Sequence, residues 1–166
     1  TYGTILDDFR IYDFTGSRLG LGVSRADGSV YSTYGLHSTN LAGATVLGVS
    51  ADASSRMTNG VAIGNFAGES ATGIKGATFV GNQAGASSIT TSTSVFVGNF
   101  AGYASGSSSN SVFIGPNAGY QATNSYSSVF SGLYSGYRAT NSYQSIFAGL
   151  QSGYQANSVY YSVVEG

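Results

Sequence analysis

The sequence SVFIGPNAGYQATNSYS at residues 111–127 is followed at once by SVFSGLYSGYRATNSYQ at residues 128–144. Both are copies of a 17-residue unit whose first glycine recurs without a slip at positions 64, 81, 98, 115, 132, 149 and 166. A second glycine follows four residues later, at positions 68, 85, 102, 119, 136 and 153. Because loops tolerate insertions, this constant spacing predicts one structural unit stacked on copies of itself.

The bulk composition would also suit a flexible linker. Of the 166 residues, 25 are glycine, and charged residues make up only 8%. Gly/Ser-rich chains of this kind are often unstructured. However, aromatic residues account for 13% of the sequence and recur in phase with the glycines, whereas disordered chains are poor in aromatic and β-branched residues. The repeat region is therefore predicted to be folded.

Each unit carries the signals of two short strands and two corners. In the copy at 111–127, Val112, Phe113 and Ile114 form an apolar run typical of a strand. Gly115 and Pro116 favour a corner, a second strand is predicted over 118–122, and a polar corner over 123–125. Such coils, stacked on one another, make an all-β fold, a parallel β-solenoid or β-roll. A triangular hexapeptide coil ranks second because 17 residues are not a multiple of its period.

Stacking places equivalent residues in columns that run along the solenoid. Because successive strand residues face opposite ways, one column of each strand points into the coil and its neighbours form an exposed apolar stripe. The sequence leaves open which column is which. We predict that the stripe is a self-association surface and that the protein is a homotrimer. The residues of the stripe or the core are Phe79, Phe96, Phe113, Phe130 and Phe147, with Val95, Val112 and Val129 beside them.

The first part of the chain follows a different pattern. Eleven of the thirteen charged residues lie within positions 1–75. We predict a small antiparallel β cap or junction over residues 1–43. Its strand signals are the alternating residues 9–14 and the apolar runs 19–23 and 30–31, and its turn signals lie at 15–17 and 27–28. The repeat region is predicted over 44–166, and it begins with an imperfect turn because Gly48 precedes Gly64 by only 16 residues.

No residue pattern indicates turnover chemistry. The chain has one histidine, His37, and no cysteine. Asp7 and Asp8 are adjacent, so they would point to opposite sides of a strand rather than form a catalytic pair. The aspartates match no calcium loop, and Thr91 and Thr93 are the only match to an ice-binding Thr-x-Thr face. We therefore predict that the protein is not an enzyme and has neither a cofactor site nor a metal site.

Charge and hydropathy limit the partners. The net charge of −1 gives no electrostatic basis for binding nucleic acid, and no apolar run is long enough to span a bilayer. Two tyrosine columns are candidate contact surfaces, because a tyrosine offers an apolar ring and a hydroxyl to a sugar. The alternative, which we favour from the sequence, is that the stacked tyrosines only stabilise the coil edge or a subunit contact. The candidate glycan-contact column is Tyr103, Tyr120, Tyr137 and Tyr154, and a second column is Tyr126, Tyr143 and Tyr160.

The repeat resembles a known class of proteins. The segment from Ser111 to Gly119, SVFIGPNAG, with ATNS between copies, resembles the repeat shafts of phage tail-fibre and tailspike proteins. It is also similar, with a longer period, to the β-roll heads of trimeric autotransporter adhesins. The resemblance covers residues 45–166 and implies a trimeric parallel β-solenoid. It also implies a location on an extracellular or virion appendage. The leading hypothesis is a structural shaft of a phage tail fibre or spike that contacts the host surface, with the host-surface glycan that the tyrosine columns suggest as a candidate partner. The alternative is a self-associating subunit of a cellular extracellular filament or adhesin.

Overall fold

A computed structural model describes residues 8–12, 19–24, 30–31, 43–52 and 57–166 of the chain. Over these residues the protein is all-β, with no helix, and its strands form three sheets. Most of the described chain is a stack of parallel coils, one strand above the next. The predicted fold class, a parallel β-solenoid, is therefore confirmed, whereas the homotrimer stays a prediction.

The first sheet is antiparallel and lies in the segment predicted as a cap. It consists of β1 (Asp8–Tyr12), β2 (Leu19–Ser24) and β3 (Val30–Tyr31), in the order β1-β2-β3. These strands pair only with one another among the described strands. The predicted turns at 15–17 and at 27–28 lie outside the described residues, as do Asp7 and His37. The boundary at residue 43 stays a prediction.

The solenoid is built from two stacks of parallel strands. Eight strands form one sheet in the order β14-β12-β10-β8-β7-β6-β5-β4, and three form another in the order β13-β11-β9. The strands are β4 (Thr45–Leu47), β5 (Val61–Ile63), β6 (Thr78–Val80), β7 (Val95–Val97), β8 (Val112–Ile114), β9 (Thr123–Tyr126), β10 (Val129–Ser131), β11 (Thr140–Tyr143), β12 (Ile146–Ala148), β13 (Asn157–Tyr160) and β14 (Val163–Glu165).

The register of the large sheet follows the sequence repeat. Phe113 is paired with Phe96 on one side and with Phe130 on the other, so each step joins residues 17 apart. The step from β4 to β5 differs, because Val46 is paired with Ala62, 16 residues on. This shorter turn is the imperfect first coil that the position of Gly48 predicts. A fixed register of this kind holds every column in line along the whole stack.

The position of the second strand is a correction to the sequence-based prediction. Residues 118–122 were predicted as a strand and 123–125 as a corner, but 116–121 form turns and the strand is β9. The reason lies in the backbone hydrogen bonds. Turn bonds run from the Ala118 N–H to the Gly115 carbonyl at 3.1 Å and from the Ala122 N–H to the Gly119 carbonyl at 3.0 Å, whereas β9 is paired with the equivalent strand β11. In earlier coils isolated parallel bridges such as Thr58 to Lys75 take the place of this sheet.

The phenylalanines fill the inside of the coil. Phe79, Phe96, Phe113, Phe130 and Phe147 are all fully buried. The rings of Phe96 and Phe113 are stacked with centroids 4.5 Å apart, and those of Phe113 and Phe130 with centroids 4.6 Å apart. The opposite wall leaves room for each ring, because a Cβ atom on Gly119 would lie only 2.8 Å from Cγ of Phe113. The question that the sequence left open is thus decided: phenylalanine faces inward.

The second coil keeps the interior filled by a different side chain. Ala62 takes the place of phenylalanine in β5, and Met57 is buried nearby. Gly68 forms the wall opposite this position, and Cε of Met57 would lie 3.7 Å from a Cβ atom added to it. In later coils a phenylalanine ring covers the equivalent glycine. Volume lost at one position is therefore recovered by a neighbouring residue, as close packing requires.

Two columns of buried serines differ in their hydrogen bonds. The hydroxyl of Ser128 lies 3.0 Å from the carbonyl oxygens of Tyr126 and Ser142, and it accepts a bond from the Ser145 N–H at 3.3 Å. By contrast, the hydroxyl of Ser125 is buried without a partner in the part of the chain that the structure describes. The same holds for the equivalent residues Thr91, Ser108 and Ser142.

This contrast predicts that replacing serine by alanine has different effects at positions 128 and 125. Ser128→Ala should lower the free energy of unfolding by about 1–3 kcal/mol, because it removes the acceptor of the buried Ser145 N–H in the next coil. Ser125→Ala should leave that free energy unchanged or raise it by up to ~1 kcal/mol, because it removes a buried hydroxyl that makes no bond. Urea unfolding of both variants measures the difference. Equal losses would contradict the assignment of the two columns.

Candidate functional site

The described residues do not cluster metal-ligating side chains. Within the described ranges, no group of three or more His, Cys, Asp or Glu side chains is placed to hold a metal ion. In the same residues, no helix has the length and apolar character to cross a membrane. Thr91 is fully buried, so it shares no exposed face with Thr93, and the Thr-x-Thr match is lost. That the protein is not an enzyme stays a prediction.

The first candidate surface is the outer face of the large sheet. It is defined by the residues on either side of the central position in the eight strands of that sheet, which are β4, β5, β6, β7, β8, β10, β12 and β14. Val95 is 36% exposed, Ile114 45% and Val163 65%, and Val112 and Val129 are half-buried. Of the predicted stripe residues, the valines therefore lie on the outer face and the phenylalanines do not. The phenylalanines cannot contact another protomer while the coil is closed.

Every strand of the large sheet contributes at least one apolar side chain to the outer face, and the polar residues on the face are Thr45, Thr78, Ser131 and Glu165. Eight strands spaced by ~4.8 Å give a face about 34 Å tall. Ile146 is exposed on this face. In the coils of β10 and β12, the residue before the repeat glycine is small, Ser131 or Ala148, and the residue after that glycine is an exposed leucine, Leu133 or Leu150. Within the strands of this face, β4 to β14, the one charged residue is Glu165. Sheets that face solvent usually carry polar or charged side chains, so this face is unusual for an isolated coil.

The first tyrosine ladder consists of Tyr103, Tyr120, Tyr137 and Tyr154. Consecutive rings are stacked with centroids 5.2, 5.1 and 5.0 Å apart. Each inner ring is covered on both faces by its neighbours, so no sugar ring can stack between them. The ladder offers ring edges and hydroxyls instead.

The surroundings of this ladder are close-packed. The ring of Phe100 packs edge-on against Tyr103, and that of Tyr134 against Tyr137, both with centroids 5.6 Å apart. Burial raises the pKa of the Tyr120 hydroxyl above its ordinary value of 10.0; the Tyr137 and Tyr103 phenols add to this rise and Arg138 opposes it. The Tyr120 hydroxyl is therefore uncharged at neutral pH.

The second tyrosine ladder consists of Tyr126, Tyr143 and Tyr160, which end the strands β9, β11 and β13. Its ring centroids are 5.4 Å and 5.2 Å apart. Unlike the first ladder, it lines an open groove of about 590 Å³, whose other lining residues are Ser127, Gln144 and Tyr161. The sequence pointed to the tyrosines but not to the groove. The signal was present, because Ser127, Gln144 and Tyr161 directly follow the three tyrosines.

The backbone fixes the position of the residues that follow the second tyrosine ladder and form the other wall of the groove. Ser127, Gln144 and Tyr161 have φ of 52°, 49° and 50°, a conformation that L-residues adopt only where the surroundings require it. Their N–H groups bond to the coil before: Gln144 N–H donates to the carbonyl of Tyr126 at 3.0 Å, and Tyr161 N–H to that of Tyr143 at 3.1 Å. The groove wall is thus as regular as the sheet.

Comparisons with known proteins yielded no match. No protein-family model matches the chain, and no curated protein and no solved structure is significantly similar to it. Three exposed features of the described coils can meet a partner: the outer face, the first tyrosine ladder and the groove of the second ladder.

Proposed function

We propose that this chain is a structural shaft that self-associates into a homotrimer and belongs to a phage tail fibre or spike that contacts the host surface. The observation that carries the proposal is the apolar outer face, which continues over all eight strands of the large sheet. The resemblance of the SVFIGPNAG repeat to tail-fibre shafts supports the same proposal.

Self-association follows from the energetics of that face. Contiguous apolar surface on a protein marks an interaction site, and parallel sheets are normally covered on both sides. The inner side of this sheet is covered by the interior of its own coil. Three copies arranged around an axis would cover the outer side with identical faces and leave none exposed, which closed symmetry permits.

A role as a shaft follows from the hydrogen bonding between coils. Equivalent corners are linked by the same bond at each level: Gly98 N–H donates to the Val80 carbonyl, and Gly115 N–H to the Val97 carbonyl, both at 2.8 Å. Each coil is therefore bonded to the next in the same way, and the stack extends by one equal step per coil. Such an element separates two ends of an appendage at a fixed distance.

A second candidate is a subunit of a cellular extracellular filament or adhesin. The same outer face favours it, because lateral association of identical coils would also build a filament. Immunogold labelling with an antibody against the chain separates the two. Label on virion tails supports the first candidate, whereas label on filaments at the cell surface supports the second.

Val112→Asp is expected to dissociate the assembly while leaving the coil intact. Val112 lies on the outer face at a central strand, so the substitution would bring like charges together in the interface. Burying a charge without a partner costs several kcal/mol, and the dissociation constant should rise by more than about 100-fold. Light scattering measures the mass and far-ultraviolet circular dichroism the β content.

The matched control is Asn110→Asp, which adds the same charge in the same coil two residues away. Asn110 is exposed outside the strands of the outer face, so this variant should associate like the wild-type chain. A wild-type chain that is a monodisperse monomer in light scattering would refute self-association.

A further inference from the structure

We propose that the groove beside the second tyrosine ladder binds an extended, neutral β-1,4-linked polysaccharide that runs along the solenoid with one sugar unit per coil. The inference deepens the surface contact in the proposed function by naming a ligand class. It rests on that function only for its biological setting, since the groove is present in a single chain and needs no trimer.

The chemistry of the lining selects an uncharged polyhydroxyl ligand. The groove is lined by four tyrosines, one serine and one glutamine, so it offers phenol, hydroxyl and amide groups and no carboxylate or ammonium. Its volume of about 590 Å³ lies within the range of small-molecule sites. An anionic ligand would find no charged partner in the lining, whereas a neutral sugar chain finds hydrogen-bonding groups next to apolar ring surface.

The spacing of the lining selects the linkage. The ring centroids of Tyr126 and Tyr143 are 5.4 Å apart, and those of Tyr143 and Tyr160 are 5.2 Å apart. One sugar unit in an extended β-1,4-linked chain has close to this length. Successive units of such a chain would therefore meet equivalent tyrosines at successive coils. An α-1,4-linked chain curls, so its second and third units would leave the line of the groove.

The geometry of the rings indicates how the sugars are held. Stacking covers the faces of the inner ring of this ladder, which leaves its edge and hydroxyl toward the groove. Tyr161 is 80% exposed, and its ring offers an open face on which one sugar can stack. The amide of Gln144 and the hydroxyl of Ser127, on the neighbouring column, are placed to bond sugar hydroxyls.

The inference differs from the sequence-based prediction for the first ladder. Tyr103 and Tyr137 are flanked by the edges of Phe100 and Tyr134, so apolar groups occupy the positions next to those rings. The column that directly follows the first ladder is also polar, but there Arg138 Nε donates to Gln121 Oε1 at 3.0 Å, so these two groups are already bonded to each other. The second ladder borders an open groove, and Ser127 and Gln144 line that groove. A glycan that needs both ring surface and hydrogen bonds therefore fits the second ladder better.

The test is calorimetric titration of the full chain with cello-oligosaccharides and, separately, with chito-oligosaccharides. Affinity should rise by about tenfold or more from the single sugar to the trisaccharide and then level off, because the ladder spans three coils. Binding by either series supports the proposal, and the tighter series identifies the sugar substituent. No binding of either series to the folded chain, or equal binding of maltotriose, would overturn it.

Variants locate the site. Tyr143→Ala should weaken trisaccharide binding by about tenfold, whereas Tyr137→Ala, at the centre of the first ladder, should not change it. Gln144→Gly provides a variant that keeps the fold, because glycine favours the φ of 49° found there, and it should weaken binding by about fivefold. Loss of binding in Tyr137→Ala, with wild-type affinity in both other variants, would refute the assignment.

The same samples separate this inference from the proposed function. Light scattering reports self-association, and the titration reports sugar binding. A monomeric chain that binds cellotriose would refute the trimeric shaft and leave the groove assignment standing. A trimeric chain that binds none of the oligosaccharides would do the reverse.

Discussion

Gly115→Ala is expected to disrupt the solenoid at its centre and to lower the free energy of unfolding by about 4 kcal/mol or more. Gly115 has φ +125°, a conformation that residues with a Cβ atom rarely adopt. A Cβ there would also lie 2.6 Å from the carbonyl oxygen of Gly132 and 2.8 Å from its carbonyl carbon. Both atoms are backbone of the next coil and cannot rotate away, so the coils must separate. Urea or thermal unfolding followed by circular dichroism measures the loss.

Gly106→Ala is the matched control for this prediction. Gly106 lies in the same region of the stack but has no positive φ, and its added Cβ would meet the methyl carbon of Thr123 at 3.2 Å. A side chain can shift by a few tenths of an ångström, so this variant should stay within about 1 kcal/mol of the wild type. Equal destabilisation by the two alanines would show that coil-to-coil backbone contact at Gly115 is not what limits the substitution.

Phe113→Asp is expected to remove β structure rather than only to dissociate protomers. Phe113 is fully buried between the rings of Phe96 and Phe130. The substitution would place a carboxylate where no polar partner reaches it and would break the ring stack in the middle. Phe113→Ala alone should cost about 3–5 kcal/mol in unfolding free energy. Far-ultraviolet circular dichroism of the aspartate variant should lose most of its β signal.

Val112→Asp is the neighbouring comparison, because it carries the same charge on the other side of the same strand. It should stay β-rich and become monomeric, as argued above. A Phe113→Asp chain that remains β-rich but dissociates would place phenylalanine on the association surface and overturn the assignment of the two faces. The pair therefore tests the inside and the outside of one strand.

The sequence by itself was sufficient for the fold class and for the register. Glycines at 17-residue intervals without an insertion require that every coil repeats its neighbour, and parallel pairing of Phe96, Phe113 and Phe130 follows from that. The short first turn was also readable, because Gly48 is one residue too close to Gly64. A repeat constrains these features because any error in register would be multiplied along the stack.

Sequence reasoning could not place the second strand or the groove. Residues 118–122 and 123–126 show no alternation that separates a turn from a strand. Positive φ does not separate them either, because Gly119 and Gln121 adopt it in the turn and Asn124 adopts it in β9. The backbone hydrogen bonds decide, since the Ala122 N–H closes a turn on the Gly119 carbonyl whereas β9 is paired with β11. The groove forms directly after these strands in the chain, where Ser127 and Gln144 lie beside the second tyrosine ladder.

Which face of the large sheet points inward was decided only by the tertiary structure. Alternation in Val112, Phe113 and Ile114 is compatible with either choice, since all three side chains are apolar. The choice depends on the opposite wall of the coil, where the absence of a side chain on Gly119 leaves room for the ring of Phe113. The sequence thus determined the period, the strand register and the columns. The packing of one wall against the other determined that phenylalanine is the core and that valine and isoleucine form the surface, because only that arrangement fills the narrow interior.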